Sequence, residues 1–267
     1  VTDWAAYDAV AQRYDEVWGP RFEAVARLVW RAVDPAPGAA VLDVGTGTGI
    51  VPHALAERGG GVATMVGCDR SRPMLEVARA RTPVLRVLGA DAVALPFRDS
   101  TFDVVTASFV MSHVADHRAA LVEVRRVLKP GGTLAITSWA AGEDEPSRAW
   151  TRLLAGAVPA ERITAAFARV APSMSEFEDA ARVESALTQA GFSAATVETH
   201  AIESRLSVDE FIADRELTSG SRYARHALGR AEWARLRQRA LEEFGRRFGR
   251  ELTFSRGALI GVGLRRA

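Results

Sequence analysis

From Val41 to Gly49 the chain reads Val-Leu-Asp-Val-Gly-Thr-Gly-Thr-Gly, an apolar run with one carboxylate, followed by glycines at alternate positions. No other stretch restricts the fold as strongly. Glycines that accept positive φ let a strand turn sharply into a helix. At such a turn the backbone N–H groups and the helix N-terminus can approach a ligand closely. A second apolar run, Val62 to Cys68, ends at Asp69, twenty residues beyond Gly49. Strand, glycine turn, helix and a second strand closed by an acid together form a nucleoside-binding arrangement in an α/β sheet.

The alternation continues downstream. The pattern predicts strands over 40–44, 62–68, 84–88, 102–107 and 133–139, with helices at about 48–58, 72–81 and 117–128 between them. Right-handed crossovers at this tempo give a mostly parallel, doubly wound sheet. The largely apolar character of 102–107 and the apolar 134–136 suit strands covered on both faces. Upstream, Asp34-Pro35-Ala36-Pro37-Gly38 is a stiff connector, and before it two helices are expected, broken at Gly19-Pro20. Lys129-Pro130-Gly131-Gly132 predicts a sharp turn ahead of the fifth strand.

Beyond 140 the pattern changes. Glu143-Asp144-Glu145-Pro146 reads as a solvated loop before helical sequence, Glu176 to Ala190 as a helix and 194–204 as a strand. Two or three helices follow over 207–250, and Thr253 to Leu264 forms a last strand. The expected organisation is N-terminal helices over 1–34 acting as a lid, and a ligand-binding core over 35–140. Cap helices and a return helix occupy 141–193, a core strand 194–204, a helical cap 205–252 and the final core strand 253–267. The fold class is therefore α/β, a doubly wound, Rossmann-like seven-stranded sheet carrying a discontinuous helical cap.

A formal net charge of +1 gives no electrostatic footprint for nucleic acid or an anionic membrane. The cations are almost all arginine, with Lys129 the one lysine, which reads as coding bias. Cys68 is the lone cysteine, so neither an internal disulfide nor a cysteine metal cluster can form. No uncharged apolar run approaches the ~18 residues of a membrane span, and no stretch has signal-peptide character. A cytoplasmic protein, monomeric or homodimeric, is expected.

The glycine spacing chooses among ligands. A dinucleotide fingerprint wants Gly-x-Gly-x-x-Gly. Here the spacing is Gly45-x-Gly47-x-Gly49, and position 50 is isoleucine. Asp43, two residues before the first glycine, would repel a pyrophosphate and suits a ligand carrying positive charge or an ammonium group.

With these features the sequence resembles the class I S-adenosylmethionine-dependent methyltransferases, in particular the small-molecule group similar to ubiquinone and menaquinone methyltransferases. The resemblance spans roughly residues 35–140. It rests on the 41–49 motif, Asp69, Gly89-Ala90-Asp91-Ala92 with Leu95-Pro96-Phe97, Phe102-Asp103-Val104-Val105, and Val127-Leu128-Lys129-Pro130-Gly131-Gly132. It implies S-adenosyl-L-methionine as cofactor, with Asp69 on the ribose hydroxyls, Asp91 on the adenine amine and Asp43 near the amino-acid end. Tyr14, Gly45, Thr46, Gly47, Gly49, Arg70, Met74, Ala92 and Ser108 complete the implied cofactor site. Asp69 also stands where a helix N-cap could, with Ser71 opening the next helix, and Asp91 where it could fix a loop.

A sulfonium is already activated, so a general base is needed only when the acceptor must lose a proton. The family's acceptor side lies past the fourth strand, here Ala107 to Val114, and His113 is the expected base. His226 is a weaker candidate, and His53, His117 and His200 read as structural or surface residues. Tyr7 and Tyr14 match positions where this group closes a lid. The cap aromatics and methionine (Trp150, Phe167, Met174, Phe211, Tyr223, Trp233, Phe244) either line an apolar acceptor pocket or form the cap's own core. The implied activity is methyl transfer to a small apolar or aromatic acceptor, in secondary-metabolite biosynthesis. The alternative is a repurposed member that binds the cofactor and catalyses a cyclisation, elimination or decarboxylation.

Overall fold

A computed structural model describes residues 4–59 and 61–266; positions 1–3 of the expected lid lie outside the described residues. A short 3₁₀ turn, Asp8–Val10, leads into α1 (Ala11–Val33). Phe22, Val25, Ala26, Val29 and Trp30 bury one stripe of α1 against the sheet, at the three- and four-residue spacing of an amphipathic helix. The break expected at Gly19-Pro20 does not occur, because Pro20 lies inside the helix with its ring exposed. Proline there forfeits one backbone hydrogen bond. Packing across it holds the helix together: Tyr14, Trp18 and Phe22 meet ring to ring at 4.9–6.0 Å.

The core then alternates as expected: β1 (Ala40–Val44), α2 (Ile50–Glu57), β2 (Thr64–Asp69), α3 (Arg72–Arg81), β3 (Arg86–Gly89), β4 (Phe102–Ser108), α4 (His117–Val127) and β5 (Leu128–Trp139). The cap begins with α5 (Glu145–Ala155), α6 (Ala160–Val170) and a single turn, α7 (Met174–Phe177). The return helix α8 (Ala180–Gln189) leads to β6 (Phe192–Ser207), α9 (Val208–Glu216), α10 (Ser219–Phe248) and β7 (Glu251–Arg265). Gly229 interrupts α10 with φ 74° and ψ 173°, so 207–250 holds three helical pieces.

The seven strands order as β3-β2-β1-β4-β5-β7-β6. Pairing is parallel from β3 through β5, and β7 runs antiparallel to both β5 and β6. The strand order reverses between β1 and β4, which opens a crevice beyond their carboxyl ends. Lys129 to Gly132 is not a free turn, because it belongs to β5 and forms an irregularity where the register with β4 shifts between Phe102 and Val104. Pro130 has no N–H to lose from a ladder at such a site. Lys129 Nζ holds the Asp103 carboxylate (2.8 Å), which also accepts from the Ala40 N–H (2.8 Å), tying β1, β4 and β5 together.

The cap fills itself. Trp150, Phe211, Trp233, Phe244 and Phe254 pack into one buried cluster, with Tyr223 against it. Of the aromatics considered for an acceptor pocket, Trp150, Phe211, Trp233 and Phe244 are therefore the cap's own core. Phe167 stands exposed on the outer face of α6. Among the described residues no helix is long and apolar enough to cross a membrane.

Candidate active site

The crevice at the β1–β4 switch point is the mouth of a cavity of about 790 Å³. Its walls come from the glycine turn after β1, the end of β2 with the start of α3, the loops after β3 and β4, and the N-terminal segment with the end of α6.

Gly45, Gly47 and Gly49 all hold positive φ (65°, 53° and 77°), conformations that cost a residue with a Cβ. Their surroundings differ. A Cβ on Gly45 would lie 2.3 Å from a Val110 methyl, so its absence brings the β4 loop against the turn. A Cβ on Gly47 would project into the cradle, where the nearest atom is the Gly45 carbonyl at 4.0 Å. Gly49 does not line the cavity. A Cβ there would meet Ala78 at 2.9 Å, so this glycine lets α2 pack on α3. Thr46 lies over Gly67 and faces a smaller chamber behind the turn, shared with Asp43, Thr48 and Ser108.

Asp69 closes β2 on the cavity wall, its two oxygens accepting from the Gly47 N–H (2.9 Å) and the Ser71 N–H (2.8 Å). The N-cap of α3 is Ser71, whose hydroxyl accepts from Met74 N–H. Asp69 is therefore not the cap, and its carboxylate borders the cavity. Burial raises its pKa, and the N–H groups of Ser71, Gly47 and Arg70 pull it back. Asp91 lines the same wall, accepting from the Val93 N–H (3.2 Å), with the exposed Arg70 guanidinium 3.8 Å away. Met74 and Ala92 are buried beside it and line the cavity.

Asp43 is deeper. It accepts a 2.6 Å bond from the Thr106 hydroxyl, its direct neighbour across the β1–β4 pairing. Burial pushes its pKa up to about 7, against the Thr106 bond. The Ser108 hydroxyl is buried on the wall with no protein partner. Phe109 follows with φ 54°, a left-handed backbone that is costly for an aromatic residue. That turn carries the chain from β4 across the cavity to the 3₁₀ turn Met111–His113.

His113 lines the cavity, its Nδ1 2.8 Å from the Val170 carbonyl. A carbonyl only accepts, so Nδ1 carries the proton and neutral His113 keeps its lone pair on Nε2. Burial lowers its pKa, against the Val170 bond, so the ring is neutral at pH 7. Tyr7 stands edge-to-face with both His113 and Tyr14, each at 5.7 Å. Burial raises both phenol pKa values, so both remain donors. His226 is exposed on α10 and absent from the cavity wall. His117 bonds Ser173, His53 bonds Thr82, and His200 sits beside Glu198 on β6. Cys68 is buried, with its thiol pushed up to about 12 by that burial, and is inert.

Residues 42–136 match the family model described as "Methyltransferase domain". A demethylmenaquinone methyltransferase of Streptomyces griseus is 34% identical over 198 residues, covering 70% of this chain and 84% of that protein. One from Renibacterium salmoninarum is 37% identical over 166 residues, covering 57% and 68%. The chain belongs to the methyltransferase family. Phosphoethanolamine N-methyltransferase 2 of Haemonchus contortus, solved with S-adenosyl-L-methionine, shares the fold at a TM-score of 0.62 and 17% identity, covering all of this chain and 61% of that one.

This methyltransferase uses S-adenosylmethionine, and the walls of the cavity fit it. The open cradle at Gly47, the unpartnered Ser108 hydroxyl and the carboxylate of Asp69 match a polar nucleoside with vicinal hydroxyls. The bound cofactor supplies an electrophilic methyl on sulfur. Sequence reading missed Thr106, whose partnership with Asp43 depends on strand register, and Arg222, which reaches the carbonyl of Ala6.

Proposed function

We propose that this methyltransferase acts on a small apolar or aromatic acceptor with an ionisable hydroxyl, that Asp69, Asp91, Asp43 and Ser108 hold the cofactor, and that His113 takes the acceptor's proton. The observation that carries the reading is the Val170 carbonyl on His113 Nδ1, which leaves a neutral, cavity-lining imidazole with its lone pair on Nε2. Val114, Val170 and Pro172 give the acceptor end apolar surface, while Asp116 and Arg169 also line the cavity. Its volume is in the upper part of the roughly 300–1,000 Å³ range of small-molecule sites, in keeping with two ligands. Names of relatives point to a quinone-type ring. The cap helices fall outside residues 42–136, which supports an acceptor particular to this chain; its place in secondary metabolism is part of the proposal.

The test is a panel of phenols and reduced quinones with S-adenosylmethionine, scored by mass spectrometry for a methylated product and stoichiometric S-adenosylhomocysteine. His113→Gln is expected to lower turnover by about 10²–10⁴-fold while leaving cofactor affinity intact. The acid limb of kcat/KM for the native protein should fall below the ordinary histidine value of 6.5. Full turnover in His113→Gln removes the base assignment. Consumption of acceptors without S-adenosylhomocysteine points instead to a repurposed reaction.

A further inference from the structure

The segment ahead of α1 is fastened at both ends by side chains from different parts of the molecule. At the cap end, Arg222 on the first piece of α10 donates from Nη1 to the Ala6 carbonyl (2.8 Å) and from Nη2 to the Ala5 carbonyl (3.5 Å). Its guanidinium carbon lies 4.4 Å from the centroid of the Tyr7 ring. Next to it, Tyr223 meets Trp4 edge-to-face at 5.1 Å. At the core end, Asp8 accepts a 2.6 Å bond from the hydroxyl of Ser71, two residues beyond Asp69. Between these anchors, Ala5, Ala6, Tyr7 and Asp8 form one wall of the cofactor cavity.

Arg222 is only 8% exposed, unusual for an arginine in a helix whose other arginines are mostly solvated. Burying a guanidinium is costly unless acceptors meet it. Here the acceptors include backbone carbonyls more than two hundred residues away in sequence. The planar fork bonds both carbonyls while stacking on a ring, a combination an ammonium cannot reproduce. Releasing the segment would leave both the β-sheet and the aromatic core of the cap intact, since neither runs through residues 4–8.

We propose that Arg222 is a positioning residue that latches residues 4–8 over the cofactor crevice, with Asp8 on Ser71 as the second fastening, and so governs how fast S-adenosylhomocysteine leaves. The latch rests on the cofactor occupying this crevice. It also seats Tyr7 against His113, so the same arginine shapes the reacting end of the cavity.

Stopped-flow release of S-adenosylhomocysteine tests the latch, together with hydrogen exchange at residues 5–9, on Arg222→Met, Arg222→Lys, Asp8→Asn and the Arg222→Met/Asp8→Asn double variant. Loss of charge-assisted bonds should speed release by about 10–100-fold in Arg222→Met and less in Arg222→Lys. Asp8→Asn should speed it as well. Because either change frees the same segment, the double variant should release little faster than the faster single one, although Arg222 and Asp8 contact different elements. Exchange at 5–9 should rise while protection in the sheet stays as in the native protein. Release within twofold of native in folded Arg222→Met or in Asp8→Asn overturns the latch, as does full multiplication of the two effects. Should Arg222→Met not fold, Asp8→Asn on the exposed rim decides alone. A native protein that fails to bind S-adenosylhomocysteine in a calorimeter removes the cofactor reading itself, whereas unchanged release from a variant that binds removes only the latch.

Discussion

Two carboxylates at the glycine turn differ in their work because their surroundings differ. Asp69 is held by two backbone N–H groups and faces the cavity, so Asp69→Ala should weaken S-adenosylmethionine binding by about 1.5–3 kcal/mol, as charged hydrogen bonds do. Calorimetry checks this, and unaltered affinity would sink the ribose assignment. Asp43 is a burial case. Its folded pKa of about 7 stands above the unfolded 3.8, so the native state binds more protons across that window and stability falls as pH rises through it. Asp43→Asn should therefore melt higher than native protein in the absence of cofactor, by roughly 2–4 °C for each kcal/mol recovered. The gap should widen from pH 5 to pH 8 and then level off; a pH-independent gap would mean another cause. Both acids were legible in the sequence, one beside a glycine turn and one at a strand end. Thr106 was not, because its role depends on which residue of β4 lies opposite Asp43. Arg222 was hidden by its distance along the chain from Ala6 and by neighbouring arginines that are solvated.

Local rules governed some elements and packing overrode them in others. The glycine turn after β1 formed where the spacing placed it, yet its three glycines divide their duties. Gly49→Ala should cost about 1–3 kcal/mol in urea unfolding of the cofactor-free protein, through overpacking on Ala78 and a disfavoured φ. A neutral result would mean α3 yields easily and the close approach is incidental. Pro20 read as a helix break because proline usually is one. The rings on either side supply more packing than one backbone bond removes, and aromatic packing of that kind is not visible at the level of propensity. Lys129 to Gly132 read as a turn for the same reason: the residues disfavour a regular ladder, and the sheet accommodates them as an irregularity opposite β4.

The whole molecule divides into a sheet layered with helices and a cap with its own aromatic core. Alternation made the first half readable, since strand and helix periods differ and each crossover has one hand. The cap was readable only as helices, because nothing local separates an aromatic that fills a core from one that lines a cavity. Phe244→Ala should lower stability by about 3–5 kcal/mol, as for a fully buried ring, and leave KM for the acceptor nearly unchanged. A large KM shift in the folded variant would show that the cap core communicates with the reaction cavity.

The placement of β7 between β5 and β6 carries a consequence for substrate traffic. Helices α9 and α10 are spliced into the connection between two strands that pair from Phe192 opposite Arg265 to Ser207 opposite Glu251. A rigid swing of that half of the cap would have to peel this ladder from its foot. Entry and exit are therefore confined to routes that leave the splice closed, and the gatekeeping falls on parts of the chain hinged elsewhere.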